Sequence, residues 1–286
     1  MPRLSDTIAR LAATRGPGPG AAQPSRLIEW AGFGANRGAL RAYRYRPEGL
    51  KPGAPLVVVL HGCTQSAAAY DLGSGWSRLA DRHGFALLFP EQQRSNNANL
   101  CFNWFELGDI RCDAGEASSI AEMIAGTLTG YGLDRRRVFV TGLSAGGAMA
   151  AVMLATYPEL FAGGAVIAGL PYGSASTVPE ALERMRGQGL PGEDALLRAV
   201  RAASPHGGPW PRLSVWHGQQ DHVVVPAAGE AVLSQWRGLH GLAEGPSEIL
   251  SIGPHRRRVW RDGGGVARIE AFALAGMGHG TPIDAG

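Results

Sequence analysis

Ser144 stands at the centre of Gly-Leu-Ser-Ala-Gly, residues 142–146. The run before it, RVFVTG at 137–142, is β-rich, and the run after it, 146–156, is built of small residues that suit a tightly packed helix. A serine on a sharp strand-to-helix turn exposes its Oγ at the C-terminal edge of a sheet. Glycines two residues to either side let the backbone turn without a Cβ clash. The helix N-terminus then directs N–H groups toward developing negative charge. Such a serine serves nucleophilic attack on an acyl carbon, if a base and an acid stand nearby.

The acid is expected at Asp221, in WHGQQDHVV at 216–224. A strand should end near His217, and carboxylates just past strand C-termini point into the same crevice as the nucleophile. Asp194 and Asp262 are the rivals; Asp262 falls in a Gly-rich turn, DGGG. The base is expected at His279, in GMGHG at 276–280 after the last strand. His222, His240 and His255 compete for that role. The chain order Ser144, Asp221, His279 is the order in which this constellation occurs on a doubly wound sheet. His279 would take the serine proton, and Asp221 would orient and stabilise the imidazolium.

A second block, His-Gly-Cys at 61–63, follows the apolar run PLVVVL. It offers the backbone N–H of Cys63 as one oxyanion donor, with the N–H of Ala145 as the other. His61 reads either as a brace for that loop or as an ordinary loop histidine. No GxGxxG, P-loop or CxxC appears, so neither nucleotide, metal nor any other cofactor is expected.

These residues need a frame. Strands are predicted at 39–46, 55–62, 85–90, 137–142, 163–169, 213–218 and 267–274, with helices at 75–84, 115–131, 146–156 and 227–239. Strand and helix alternate, which predicts an α/β class with a doubly wound, mostly parallel sheet. Residues 171–212 interrupt the alternation with helical pieces near 179–186 and 193–203, and read as a small cap insertion. Residues 1–24 read as a short helix, with Leu4, Ile8 and Leu11 at helical spacing, and a linker, GPGPGAAQP at 16–24. The remaining residues, 25–286, form one catalytic domain.

Composition narrows the partners. The chain has 286 residues, 45% hydrophobic and 18% charged, enough for a sizeable core. The net charge is +3, Lys51 is the sole lysine, and HRRR at 255–258 is too short for a nucleic-acid stripe. Residues 138–158 carry no charge, but their glycines and Pro158 suit a buried strand, turn and helix better than a membrane span. The N-terminus lacks the apolar region of a signal peptide. Cys63, Cys101 and Cys112 allow at most one bridge.

The blocks LHGCTQSAAAYDLGSGWSRLADRHGFALLFPEQ, NNANLCFNWF, GEASSI, GLSAGGAMA, PWPRLSVWHGQQD and GMGHG resemble esterases of the polyhydroxybutyrate depolymerase family. The resemblance covers about 38–283. It implies the α/β-hydrolase fold and hydrolysis of short-chain hydroxyalkanoate polyesters or related esters. It places the catalytic triad on Ser144, Asp221 and His279, and the oxyanion cysteine on Cys63. Cys63 and Cys101 both lie in resembling blocks, which allows a bridge between them. Relatives acting on feruloyl or acetyl esters of polysaccharide give an alternative substrate class. The same triad also serves peptidases, and a hydrolase fold with a blocked pocket would only bind. Family members are often secreted, so the missing signal region leaves the cytoplasm as the alternative location. Trp104, Phe105, Tyr172 and Trp210 are expected in loops near the sheet's C-terminal edge, either as a polyester-docking surface with Trp104 and Tyr172 as substrate contacts, or packed into the core. The chain stops seven residues after His279, so a loosely held loop is expected from about Gly276 onward.

Overall fold

A computed structural model describes residues 25–283; the predicted N-terminal helix and linker lie outside the described residues. Ten strands form one sheet: β1 (Ile28–Trp30), β2 (Arg41–Tyr45), β3 (Leu56–Leu60), β4 (Ala86–Glu91), β5 (Val138–Leu143), β6 (Gly163–Ile167), β7 (Arg212–Gly218), β8 (Glu248–Ile252), β9 (His255–Arg261) and β10 (Ala267–Leu274). Their order is β1-β2-β4-β3-β5-β6-β7-β10-β9-β8. The six central strands, β4 to β10, run parallel. The pairs at both edges are antiparallel. This is the mostly parallel sheet expected, in the α/β-hydrolase fold.

Central strands buried on both faces need helices on both faces. One face carries α3 (Gly115–Tyr131), α4 (Ala145–Thr156) and α7 (Pro226–His240) over the larger core. Every residue of α4 is buried, which explains its alanines, glycines and methionines: the helix lies close against β3, β5 and β6. The other face carries α1 (Ala67–Ser74) and α2 (Trp76–His83) over a smaller cluster that includes Val59, Leu87 and Phe89.

Four elements escape the sequence reading: β1, α1, β8 and β9. The last two form an exposed antiparallel edge hairpin, where neither a buried apolar run nor a clean alternation marks the strand. The HRRR run lies in β9, and two of its arginines pair with acids on neighbouring elements: Arg257 with Glu270 of β10 at 2.8 Å, Arg258 with Glu230 of α7 at 2.5 Å. Helix α1 is marked chiefly by its cap, the Ser66 hydroxyl accepting from the Ala69 N–H.

The 171–212 insertion contains α5 (Val178–Met185) and α6 (Glu193–Arg201). Helix α6 packs beside α7, whose Gln235 donates to the carbonyls of Tyr172 and Leu196. The Met185 carbonyl accepts from the Val225 N–H, so the end of α5 braces the turn that follows β7.

Candidate active site

Ser144 lies between the last residue of β5 and the first of α4, at φ 58° and ψ −118°. A non-glycine residue there is strained, and its surroundings must hold it. The Ser144 N–H donates to Ile167 O at the end of β6, and its carbonyl accepts from Ala148 N in the first turn of α4. Gly146 makes the close approach possible: a Cβ there would collide with the carbonyls of Leu60 and His61. The N-terminus of α4 therefore abuts the loop that carries Cys63. Ala145 is the first residue of α4, where backbone N–H groups lack intrahelical partners. Ser144 is 3% exposed.

Asp221 follows β7 by three residues and is 1% exposed. Its Oδ1 accepts from the backbone N–H groups of Val223 and Val224, both at 2.9 Å. Its Oδ2 lies 2.8 Å from His279 Nδ1. With Nδ1 donating to the carboxylate, Nε2 is left as the free proton acceptor; it is buried and has no hydrogen-bond partner among the described residues. The structure thus brings Asp221 and His279 together, at the same sheet edge from which Ser144 rises on β5.

The rivals are elsewhere. Asp262 accepts from Gly264 N and Val266 N in the β9–β10 turn and pairs with Arg268 at 2.7 Å. Asp194 sits in the first turn of α6. His240 Nε2 meets Pro211 O, His255 Nδ1 accepts from Ala275 N, and His222 is exposed.

One histidine beside the acid escapes the sequence reading. His217 Nε2 donates to Val224 O at 2.8 Å and lies 3.6 Å from Asp221 Oδ2. Burial holds its pKa below the usual value. A neutral His217 closes the acid turn onto the end of β7. Its position at a predicted strand end, four residues before the acid, is the signal that could have found it.

The His279 loop is held more firmly than expected. Met277 donates to Leu274 O, and Met277 O accepts from Gln220 N in the acid turn. Thr281 Oγ1 lies 2.9 Å from the Tyr70 hydroxyl of α1. Gly218 lets the two loops meet, because a Cβ there would collide with the carbonyls of Met277 and Gly278. These loop-to-loop contacts anchor the His279 loop.

Cys63 is bonded to Cys101, and Cys112 is free. Around Cys63 the loop is pinned at several points. Gly62 N donates to Gln65 Oε1 at 2.8 Å, and Thr64 N to Asn99 O at 2.7 Å. His61 is fully buried; its Nε2 accepts from Gln92 N at 3.1 Å, so Nδ1 carries the proton and donates to Gly62 O at 2.8 Å. Burial pushes its pKa down to about 4. The brace reading of His61 is the one these contacts support. Behind it, Gln92 Nε2 donates to Cys101 O at 3.0 Å and to Glu116 Oε1 at 2.5 Å. Glu116 Oε2 accepts from Asn103 N at 2.9 Å. Burial, with Asp109 adding to it, pushes the Glu116 carboxyl up to about 8.

Of the two readings of the aromatics, their burial supports core packing. Trp104 is 5% exposed and Tyr172 9%; both lie in the main core with Phe105. Trp104 packs edge-on against Phe105, and the Tyr172 hydroxyl donates to Ile110 O. Trp210 is half-buried against His206. Their large apolar areas are spent on packing the loops down.

Residues 41–258 match the family described as Esterase PHB depolymerase. The chain is 43% identical to poly(3-hydroxyalkanoate) depolymerase C of Paucimonas lemoignei over 91% of its own length and 63% of that protein's, so it spans under two thirds of that relative. It is 32% identical to feruloyl esterase B of Talaromyces stipitatus, over 90% of this chain and 73% of that one. Among solved structures, an acetyl xylan esterase from Aspergillus awamori superposes with a TM-score of 0.83 at 26% identity, over 90% of this chain and 95% of the other. The match over most of the chain and the 43% identity place it plainly: this chain belongs to the esterase PHB depolymerase family.

Proposed function

We propose that this chain is a serine esterase that hydrolyses short-chain hydroxyalkanoate esters, polymeric or oligomeric. The observation that carries the reading is the buried Asp221–His279 pair, with an unpartnered Nε2, on the sheet edge where Ser144 turns. His279 Nε2 takes the Ser144 proton as Oγ attacks the ester carbonyl. The N–H groups of Cys63 and Ala145 receive the oxyanion. The alcohol leaves with the proton from His279, and an acyl-serine remains. Water, deprotonated by His279, then releases the acid and frees Ser144. Asp221 keeps the imidazole in the tautomer both steps need. The depolymerase relative supports the acyl class.

A second reading, an esterase on feruloyl or acetyl groups of polysaccharide, is favoured by the near-complete superposition on the acetyl xylan esterase. One side-by-side assay separates them: kcat/KM on hydroxybutyrate trimer, methyl ferulate and acetylated xylan. The first reading requires the trimer to be fastest, with butyrate esters ahead of palmitate esters. A lead for ferulate or acetylxylan would transfer the chain to the second reading.

A further inference from the structure

The proposed reaction leaves one buried imidazole unused. His217 stands at the end of β7, 5% exposed, four residues before Asp221. Its Nε2 faces two acceptors, Val224 O at 2.8 Å and Asp221 Oδ2 at 3.6 Å, so Nε2 carries the proton. The other nitrogen, Nδ1, is buried and has no hydrogen-bond partner among the described residues. It abuts Gly229 of α7, where a Cβ would stand 2.7 Å from Nδ1. Both features are unfavourable in themselves. A bare buried acceptor loses its hydration without replacement, and glycine inside a helix is less stable than alanine. Leucine in place of the histidine and alanine in place of the glycine would avoid both. Neither would supply an N–H beside the acid.

We propose that His217 is the positioning residue that keeps the Asp221 carboxylate turned toward His279. The inference rests on the esterase reading, in which Asp221 must hold the Nδ1–H of His279 through acylation and deacylation alike. Oδ1 of the acid is fixed by Val223 N and Val224 N, while Oδ2 meets His279 Nδ1 at 2.8 Å. The 3.6 Å from Oδ2 to His217 Nε2 is too long for a hydrogen bond. It is short enough for the ring to restrict rotation of the carboxylate, and for the partial positive charge on the Nε2 proton to favour the ionised acid. The N–H itself donates to Val224 O, and the N–H of the same peptide unit, on Val225, donates to Met185 O at the end of α5. That unit is thus tied at both ends, to β7 through His217 and to the 171–212 insertion through Met185. The neighbouring unit carries Val224 N, one of the two donors to Oδ1, so the tie closes residues 217–224 around the acid. Burial keeps the ring neutral by lowering its pKa, and the charged and titratable groups around it are Asp221, His279 and Glu230. A neutral ring donates at Nε2 without setting a second full positive charge against the imidazolium that His279 becomes.

The test compares His217→Gln, whose side-chain amide can present an N–H near the Nε2 position, with His217→Leu, which fills the space without a donor. Gly229→Ala keeps the imidazole but displaces it, and serves where the leucine variant fails to fold. Two readouts separate positioning from packing. One is the strongly downfield proton resonance of the His279 Nδ1–H against Asp221, which does not depend on turnover. The other is kcat and KM for p-nitrophenyl butyrate as a function of pH. In His217→Leu and Gly229→Ala the resonance should move upfield and broaden, and kcat should fall about 10- to 100-fold with KM unchanged. The acid limb of kcat/KM should shift to lower pH, because a misaligned carboxylate stabilises the imidazolium less. His217→Gln should restore most of the resonance and of kcat. A resonance and acid limb that stay put in both folded variants would overturn the proposal, whatever happens to thermal stability. A loss in His217→Gln as large as in His217→Leu would overturn it as well. Wild-type protein that shows the resonance yet turns over no ester would instead overturn the esterase reading, with the resonance in the variants still deciding whether His217 positions the acid.

Discussion

The Nδ1 of His61 lies 2.8 Å from the carbonyl oxygen of Gly62, and that carbonyl shares its peptide unit with the N–H of Cys63. A donor at the carbonyl end of an amide polarises it, and the N–H at the other end becomes a stronger donor. His61 is thus a positioning residue for the proposed oxyanion contact. His61→Ala should lower kcat about 10- to 100-fold with little change in KM, less than the loss of a whole oxyanion donor. Asn offers a donor near the Nδ1 position, so His61→Asn should recover part of the loss. With the His61 pKa held near 4, wild-type kcat should show no titration of this group above about pH 5. Equal losses in both variants, or a change confined to KM, would reject the polarising role.

Ser144→Ala should abolish labelling by a fluorophosphonate probe and lower kcat by on the order of 10⁴ or more. Retained labelling would place the nucleophile elsewhere. The strained backbone at Ser144 gives this variant a second signature. Ser144→Gly relieves a positive φ of 58°, so it should unfold at higher urea than the alanine variant while remaining equally inactive.

Asp221→Asn should keep the fold and reduce kcat about 10⁴-fold, because an amide facing His279 Nδ1 favours the wrong tautomer. The matching control is Asp262→Asn. Asp262 serves a hairpin turn and Arg268, so that variant should keep kcat while lowering thermal stability. The reverse pattern would make Asp262 the acid.

Much of this site was legible because it is built from short local patterns. Ser144 needs small neighbours and a strand before it, and Gly146 is small because two carbonyls pass where its side chain would be. Asp221 stood out by its place just past a predicted strand end, and His279 by its place between glycines after the last strand. His217 and Glu116 were not legible as parts of the site. Their roles come from tertiary contacts, Val224 O for one and Gln92 for the other, that no spacing in the sequence encodes. The aromatics were undecided for a related reason: Trp104 and Tyr172 do fall in loops, but the loops fold back into the core, and loop position alone says nothing of burial. In the fold, the central strands announced themselves as continuous apolar runs. The β8–β9 hairpin, with its arginines paired to acids on neighbouring elements, carries no such run.

The disulfide gives a count. Denatured, non-reduced protein should show one free thiol, Cys112, and three after reduction. Cys63 and Cys101 are 38 residues apart, and closing a loop of that length stabilises the fold by about 4 kcal/mol at 25 °C on chain entropy. Cys63→Ala with Cys101→Ala should lose a large part of that stability. Because the bridge also tethers the proposed oxyanion residue, kcat should fall in the same variant under conditions where it remains folded.

Glu116 supplies the last prediction, a dependence of stability on pH. Its carboxyl is raised from an ordinary 4.5 to about 8 by burial first and by Asp109 second. In the folded state it therefore holds its proton across pH 4.5–8, while in the unfolded chain it releases it. The folded state binds more protons in that window, so the stabilisation is full below about pH 4.5 and is lost as pH rises toward 8. His61 works the other way. Its folded value near 4 lies below the unfolded 6.5, so its contribution is full above about 6.5 and declines as pH falls toward 4. A comparison with Glu116→Gln cancels the His61 contribution, which both proteins share. Glutamine cannot ionise, but both carboxyl oxygens of Glu116 accept N–H donors, from Gln92 and Asn103, and an amide can accept at only one. The variant should thus be less stable by about 1–3 kcal/mol at pH 5, the usual cost of one buried donor left unmet. The gap should narrow steadily toward pH 8, as the wild type comes to bear the cost of ionising Glu116. Urea midpoints at pH 5, 6, 7 and 8 measure this directly. A gap that stays constant, or widens with pH, would mean that Glu116 is already ionised in the folded protein.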